Sequence, residues 1–177
     1  PDTAVPDPVL TLAKAVVFID RWSGAVGVGG TGGSGIAFKK DDKGLYRGPA
    51  FYDVAGGSLG AQIGVSHVRT LAFLMSEKAL QTLSNSSFMW SGNLRAIAGD
   101  KSISKSSLND TVDVILYQTA SGLDVGATIA ATKLSPDDKN NRIFYNNATI
   151  TTTEIFGGKS PAPGAKDLTD ELKKFGK

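Results

Sequence analysis

A chain of 177 residues with a formal charge of +2, no cysteine and one histidine, His67, has the length of a single domain. Folding such a chain removes roughly 70% of its extended-chain surface from water, so a full core is available. The absence of cysteine excludes disulfide scaffolds, thiolate zinc sites, iron–sulfur clusters and cysteine nucleophiles, the lone imidazole argues against a zinc centre or a Ser-His-Asp triad, and the near-neutral balance argues against a general nucleic-acid binder.

The sequence begins at Pro1 with neither a charged n-region nor an apolar h-region, which reads as a processed or trimmed form. Pro6 and Pro8 punctuate an N-terminal arm, and Val9, Leu10, Leu12 and Ala13 predict a turn or two of helix carrying Lys14. Val16-Val17-Phe18-Ile19 is β-branched and aromatic and predicts a buried strand. The longest wholly apolar run, Ala15 to Ile19, falls far short of the ~20 residues that span a bilayer, so a soluble molecule is expected.

Residues 24 to 35 hold seven glycines in a chain already rich in them, 21 in all, against a usual share of ~7%. Gly27-Val28-Gly29-Gly30-Thr31-Gly32 matches G-x-G-x-x-G in form, but no helix follows to hold a pyrophosphate, so closely packed or twisted strands explain the tract better. Asp41-Asp42-Lys43-Gly44 carries hairpin-loop chemistry between strands at 36–39 and 49–53. Between Ser58 and Val65, apolar residues alternate with Gly60, Gln62 and Gly64, which predicts a strand with one nearly bare face.

Val68 to Met75 predicts another strand, and Ser76 caps a short helix through Leu83. Further strands are expected at 94–98, at Val112, Val114 and Leu116, at 123–129, at 143–145 and at 150–155, with a turn-rich connection over Ser135 to Asn141. Residues 157–165 read as a linker into a last helix at 166–177, with Leu168, Leu172 and Phe175 on one face. The whole is an α+β, β-dominated domain over 1–177 with its core at about 9–156: a mostly antiparallel twisted sheet or barrel with two or three short helices.

No chemistry-bearing motif survives its context. Gly157-Gly158-Lys159-Ser160 resembles the end of a P-loop but has Thr153 where the first glycine belongs and prolines where the helix belongs. Ser66 and His67 are strand neighbours and diverge to opposite faces. No catalytic residue, metal site or cofactor is expected. The densest basic and aromatic cluster is Arg21, Trp22, Lys39, Lys40, Lys43, Tyr46 and Arg47, and Lys14 joins it as a further candidate. Cations facing anionic phosphates beside rings that settle at a headgroup interface make a membrane-surface footprint, each cation contributing about 1 kcal/mol.

Several segments carry a resemblance. Leu12 to Phe18, the glycine tract ending Gly33-Ser34-Gly35, Tyr46-Arg47-Gly48-Pro49-Ala50-Phe51-Tyr52, Gly56-Gly57-Ser58-Leu59-Gly60-Ala61-Gln62-Ile63-Gly64 and Leu74 to Leu80 resemble the SYLF domain family, over residues 9 to 130. The resemblance implies a non-enzymatic lipid-binding module whose partners are anionic phospholipid or phosphoinositide headgroups, with a possible protein partner and no nucleic acid. Short loops and the Phe51-Tyr52 pair are similar to bacterial members, which implies a membrane-associated protein of the periplasm or outer envelope, secreted or lipid-anchored; a eukaryotic-type member implies an actin-regulating module. Tyr46 and Arg47 depart from the family's usual Trp and small polar residue, and only Pro1 to Pro8 stand where many eukaryotic members carry a basic amphipathic segment. The competing expectation is a protein-interaction or structural module using the bare strand at 58–65.

Overall fold

Pro8 sits in the first turn of α1 (Asp7–Leu12), where the missing amide has no intrahelical partner to lose. From there the chain runs into four long strands, β1 (Ala15–Val26), β2 (Val28–Lys40), β3 (Tyr46–Ser58) and β4 (Gly64–Leu74). The computed structural model describes residues 5–26, 28–58, 64–85, 87–89, 94–99, 102–108, 112–121 and 133–158. After β4 come α2 (Glu77–Thr82), β5 (Phe88–Met89), β6 (Ala96–Ala98), a 3-10 turn at Lys105–Ser107, β7 (Val114–Ser121), β8 (Lys133–Pro136), α3 (Asp138–Tyr145) and α4 (Thr152–Phe156).

The strands form one eight-stranded sheet in the order β5-β8-β3-β2-β1-β4-β7-β6, antiparallel throughout except for β6 beside β7. Short β5 and β6 are its edges, so among the described residues it is an open sheet and not the barrel alternative. The glycine tract lies inside the β1–β2 hairpin, in register from Ala15 opposite Lys39 to Val26 opposite Val28.

Strand alternation divides the core into two layers. Ala15, Val17 and Ile19 of β1 face α2 and α4, where they join Tyr52, Leu74, Val114, Leu134 and the helix residues Ala79, Ile155 and Phe156. The intervening Val16 faces α1 and packs with Val9, Phe38, Phe73, Ile115, Ile103 and Val112. Ser76 caps α2 by accepting from the Ala79 amide, as its position before the helix predicts.

The C-terminal third departs from expectation. The strand expected at 143–145 and the turn-rich stretch at 138–141 are one helix, α3, capped by Asp137 Oδ1 accepting from the Asn140 amide at 3.0 Å. Three consecutive apolar residues, Ile143-Phe144-Tyr145, imitate a strand, yet Ile143 and Phe144 are exposed and only Asn141 is fully buried. The strand expected at 150–155 is instead α4, because Thr151 and Glu154 form a reciprocal capping box that satisfies two amides at once. Of the strand expected over Ser58 to Val65, Ser58 ends β3 and Gly64 and Val65 begin β4, and residues 59–63, like the strand expected at 123–129, residues 159–165 of the linker and the helix at 166–177, lie outside the described residues.

Asn141 explains where α3 docks. Beyond the end of β8, its side-chain amide takes the place of a strand residue. Oδ1 accepts from the Phe51 amide at 2.8 Å and Nδ2 donates to the Phe51 carbonyl at 3.0 Å, while the Tyr145 hydroxyl donates to the Pro49 carbonyl at 2.8 Å. A buried edge of β3 is thereby paired without another strand.

Candidate functional site

Register across β2, β1, β4 and β7 builds the α1 side of the sheet in rows about 7 Å apart. The lowest row, Phe38, Val16, Phe73 and Ile115, is buried core. The next is Ile36, Phe18, Leu71 and Tyr117, and the first three are only half-buried. Above it stand Ser34, Asp20 and Arg69, and above these Gly32, Trp22 and His67. The second row floors a groove of about 310 Å³, with Val5 among its lining residues and Asp20, Ser34 and Arg69 along its upper rim.

The rim is ordered by direct contacts. Trp22 and His67 face each other across β1 and β4 with ring centroids 4.0 Å apart and planes 7° from parallel. His67 Nε2 lies 2.7 Å from Asp20 Oδ1, and Arg69 Nε donates to Asp20 Oδ2 at 3.3 Å. Asp20 therefore ties the rim row to the stacked row. Trp22 keeps 55% of its surface in solvent, Val65 two residues beyond His67 keeps 73%, and the Arg69 side chain keeps 71%. Ser66 points to the other side of the sheet from His67, so the two form no nucleophile–base pair.

The eight residues expected to make one basic and aromatic patch are spread over the molecule. Arg21 faces the α2 and α4 layer and is only 4% exposed, and burial lowers its pKa. Trp22 lies seven strand positions from Lys39, about 24 Å along the sheet. Lys39 lines a shallow hollow with Glu77 and Thr153, and Lys14 pairs with Glu77 at 2.7 Å. Lys40 closes the C-terminus of α1 by donating to the Leu10 and Thr11 carbonyls at 2.9 and 3.1 Å, and sits 5.3 Å from the Tyr46 ring. Tyr46 is core, with burial pushing its phenol up to about 12.

Within the β2–β3 loop, Asp41 is the hub. Its carboxylate accepts from the Leu45 and Lys43 amides at 2.8 and 2.9 Å and from Arg47, whose Nε and Nη2 approach at 2.9 and 2.8 Å. The Leu45 amide first, then Arg47, holds this carboxyl below its ordinary range. Of the expected cluster, then, Trp22 stands at one end of the strands, Lys14, Lys39, Lys43 and Arg47 at the other, and Arg21, Lys40 and Tyr46 serve the interior or the α1 end. Patch geometry fails because strand parity sends Arg21 and Trp22 to opposite faces and the long hairpin sends its turn away from both.

Sequence reasoning passed over Asp20, Arg69 and the groove row. Phe18, Asp20 and Trp22 share one parity, as do Leu71, Arg69 and His67, and that signal is readable in each strand alone. Setting the two strands in register requires knowing how residues 27–63 return, which no local pattern states.

No helix among the described residues is long and apolar enough to cross a membrane. No solved structure matches the chain. An SH3 domain-containing protein of Schizosaccharomyces pombe is 27% identical over 169 residues, covering 92% of this chain, and the chain spans 39% of that relative's length. The family described as Las17-binding protein actin regulator, Ysc84, matches residues 55–175, a span that takes in β4, α2, β7, β8, α3 and α4. SYLF and Ysc84 denote one family, a binding and regulatory one, and with more than half of its length matched the chain belongs to it.

Proposed function

We propose that this chain is a non-catalytic module that docks peripherally on membranes containing anionic phospholipid. The observation that carries the reading is the Trp22 end of the sheet. There an exposed indole, oriented by its stack on His67, stands beside exposed Val65 and one row from exposed Arg69, a ring and an apolar side chain for the headgroup boundary with a cation for phosphate. The family's description and the yeast relative support reading it as a eukaryotic-type member at a membrane where actin is regulated, in place of the bacterial envelope protein expected above.

Co-sedimentation with neutral and with anionic vesicles, each at low and high salt, tests this. Binding is expected with anionic vesicles at low salt and weakens at high salt. Arg69→Gln lowers the partition about fivefold, the equivalent of one cation near an anionic surface, and Trp22→Ala lowers it while abolishing any indole blue shift that Trp22 contributes. Lys39→Gln with Lys43→Gln, about 24 Å away along the strands, leaves it unchanged. Equal or absent binding in all four conditions overturns the proposal.

A second reading is favoured by α3, whose Ile143 and Phe144 are exposed at 66% and 41% beside the β3 edge. A protein partner covering this pair is lost on Ile143→Ser, with vesicle binding intact. An unchanged pull-down from cell extract would count against it.

A further inference from the structure

We infer that the groove beneath Asp20 and Arg69 takes a single acyl chain whose anionic head is met by the Arg69 guanidinium; the inference rests on the lipid-binding reading above. Polarity is graded along the strands in the sense an amphiphile needs. Phe18, Ile36 and Leu71 are half-buried and make an apolar floor that Tyr117 extends, and the charged side chains of the lining, Asp20 and Arg69, stand together on its upper rim. At about 310 Å³ the space lies at the lower end of ligand sites, which run from about 300 to 1,000 Å³, a size for one chain and not for a two-chain lipid.

Charge complementarity selects the head. Among the described contacts Arg69 uses only Nε, toward Asp20, so its terminal nitrogens remain for a carboxylate or phosphate oxygen. His67 at 2.7 Å keeps hold of Asp20 whether or not Arg69 turns to a ligand. The shared chemistry is one alkyl chain ending in an anion, available either as a free fatty acid or as a single-chain phospholipid.

The test is calorimetric titration of the full chain with laurate and with lauroyl lysophosphatidylglycerol, both below their micelle concentrations, with acetate and glycerophosphate as chainless controls. Saturable one-to-one binding is expected for both lipids or for the source the protein prefers, and none for the controls. Shortening the chain lowers affinity, by about fourfold per methylene at the transfer value for buried methylenes. Ser34→Trp, a substitution on the exposed rim of a strand, blocks the mouth and weakens binding at least tenfold, while its circular dichroism stays as in the parent. Arg69→Gln weakens laurate but leaves lauryl alcohol, which has the chain without the anion, unchanged.

Flat titrations, affinity indifferent to chain length, or full binding by Ser34→Trp overturn the inference. Light scattering that shows a dimer which laurate does not dissociate gives the groove to a second copy and overturns it too. The two readings fail separately. Vesicle binding with a flat laurate titration leaves the docking surface and removes the groove, whereas laurate binding without vesicle binding does the reverse.

Discussion

Gly32 and Gly33 are neighbours on β2 with opposite tolerance for a methyl group. A Cβ at Gly33 falls 2.1 Å from the Asp20 carbonyl oxygen, a backbone atom that moves only with β1, whereas one at Gly32 meets nothing within 4 Å. Gly33→Ala therefore lowers the denaturant midpoint sharply, and Gly32→Ala leaves it level or raises it, through the ~0.5–1 kcal/mol of unfolded-chain entropy that glycine carries. Equal midpoints for the two variants would mean that β1 and β2 approach less closely than described. Asn141 is as specific, since it satisfies both polar groups of Phe51 while 1% exposed. In Asn141→Ala the Phe51 carbonyl keeps the Asp137 amide at 2.9 Å but its own amide loses its partner, so a loss of about 1–3 kcal/mol is expected in urea unfolding.

Capping decides the short helices at the scale of elements. α4 has five residues, too few to stand on propensity, and its capping box together with buried Ile155 and Phe156 holds it. Thr151→Ala is expected to cost about 1 kcal/mol in thermal or denaturant unfolding, and Thr151→Ser to cost far less; equal losses would place the effect in packing. The strands of the first half were legible because their apolar residues alternate and their turn, Asp41 to Gly44, has loop chemistry. α3 and α4 were misread as strands because β-branched and aromatic side chains crowd 143–145 and 150–155, and the caps that overrule them, Asp137 and Thr151, are single residues. The groove was illegible for another reason. Each row combines strands that are far apart in sequence, so Phe18 and Leu71 become neighbours only through pairing of β1 with β4.

Stability of the whole molecule against pH follows from groups shifted in opposite directions. Asp113 is pushed up by burial but more than offset by hydrogen bonds from the Ser76 hydroxyl and the Arg95 amide, so its folded pKa, like that of Asp41, lies below the unfolded value. Stabilisation from both is present above about pH 4 and is lost as the pH falls through the lower folded values. Asp53, raised first by burial and then by Asp137, works against them and is favoured when protonated. Burial pushes Tyr46 and Tyr145 up to about 12, and Tyr52 upward as well, so these phenols contribute stability below about pH 10 that disappears as pH rises through the folded values. Absorbance titration at alkaline pH is expected to show these three phenols ionising late and together with unfolding; early ionisation near pH 10 would contradict their burial. The sheet's outline has one more result. Its two outermost strands have two and three residues, and an amide side chain occupies β3 where β8 stops. Along β5 and β6 a foreign peptide seeking to lengthen the ladder sideways finds, among the described residues, only two and three residues of template.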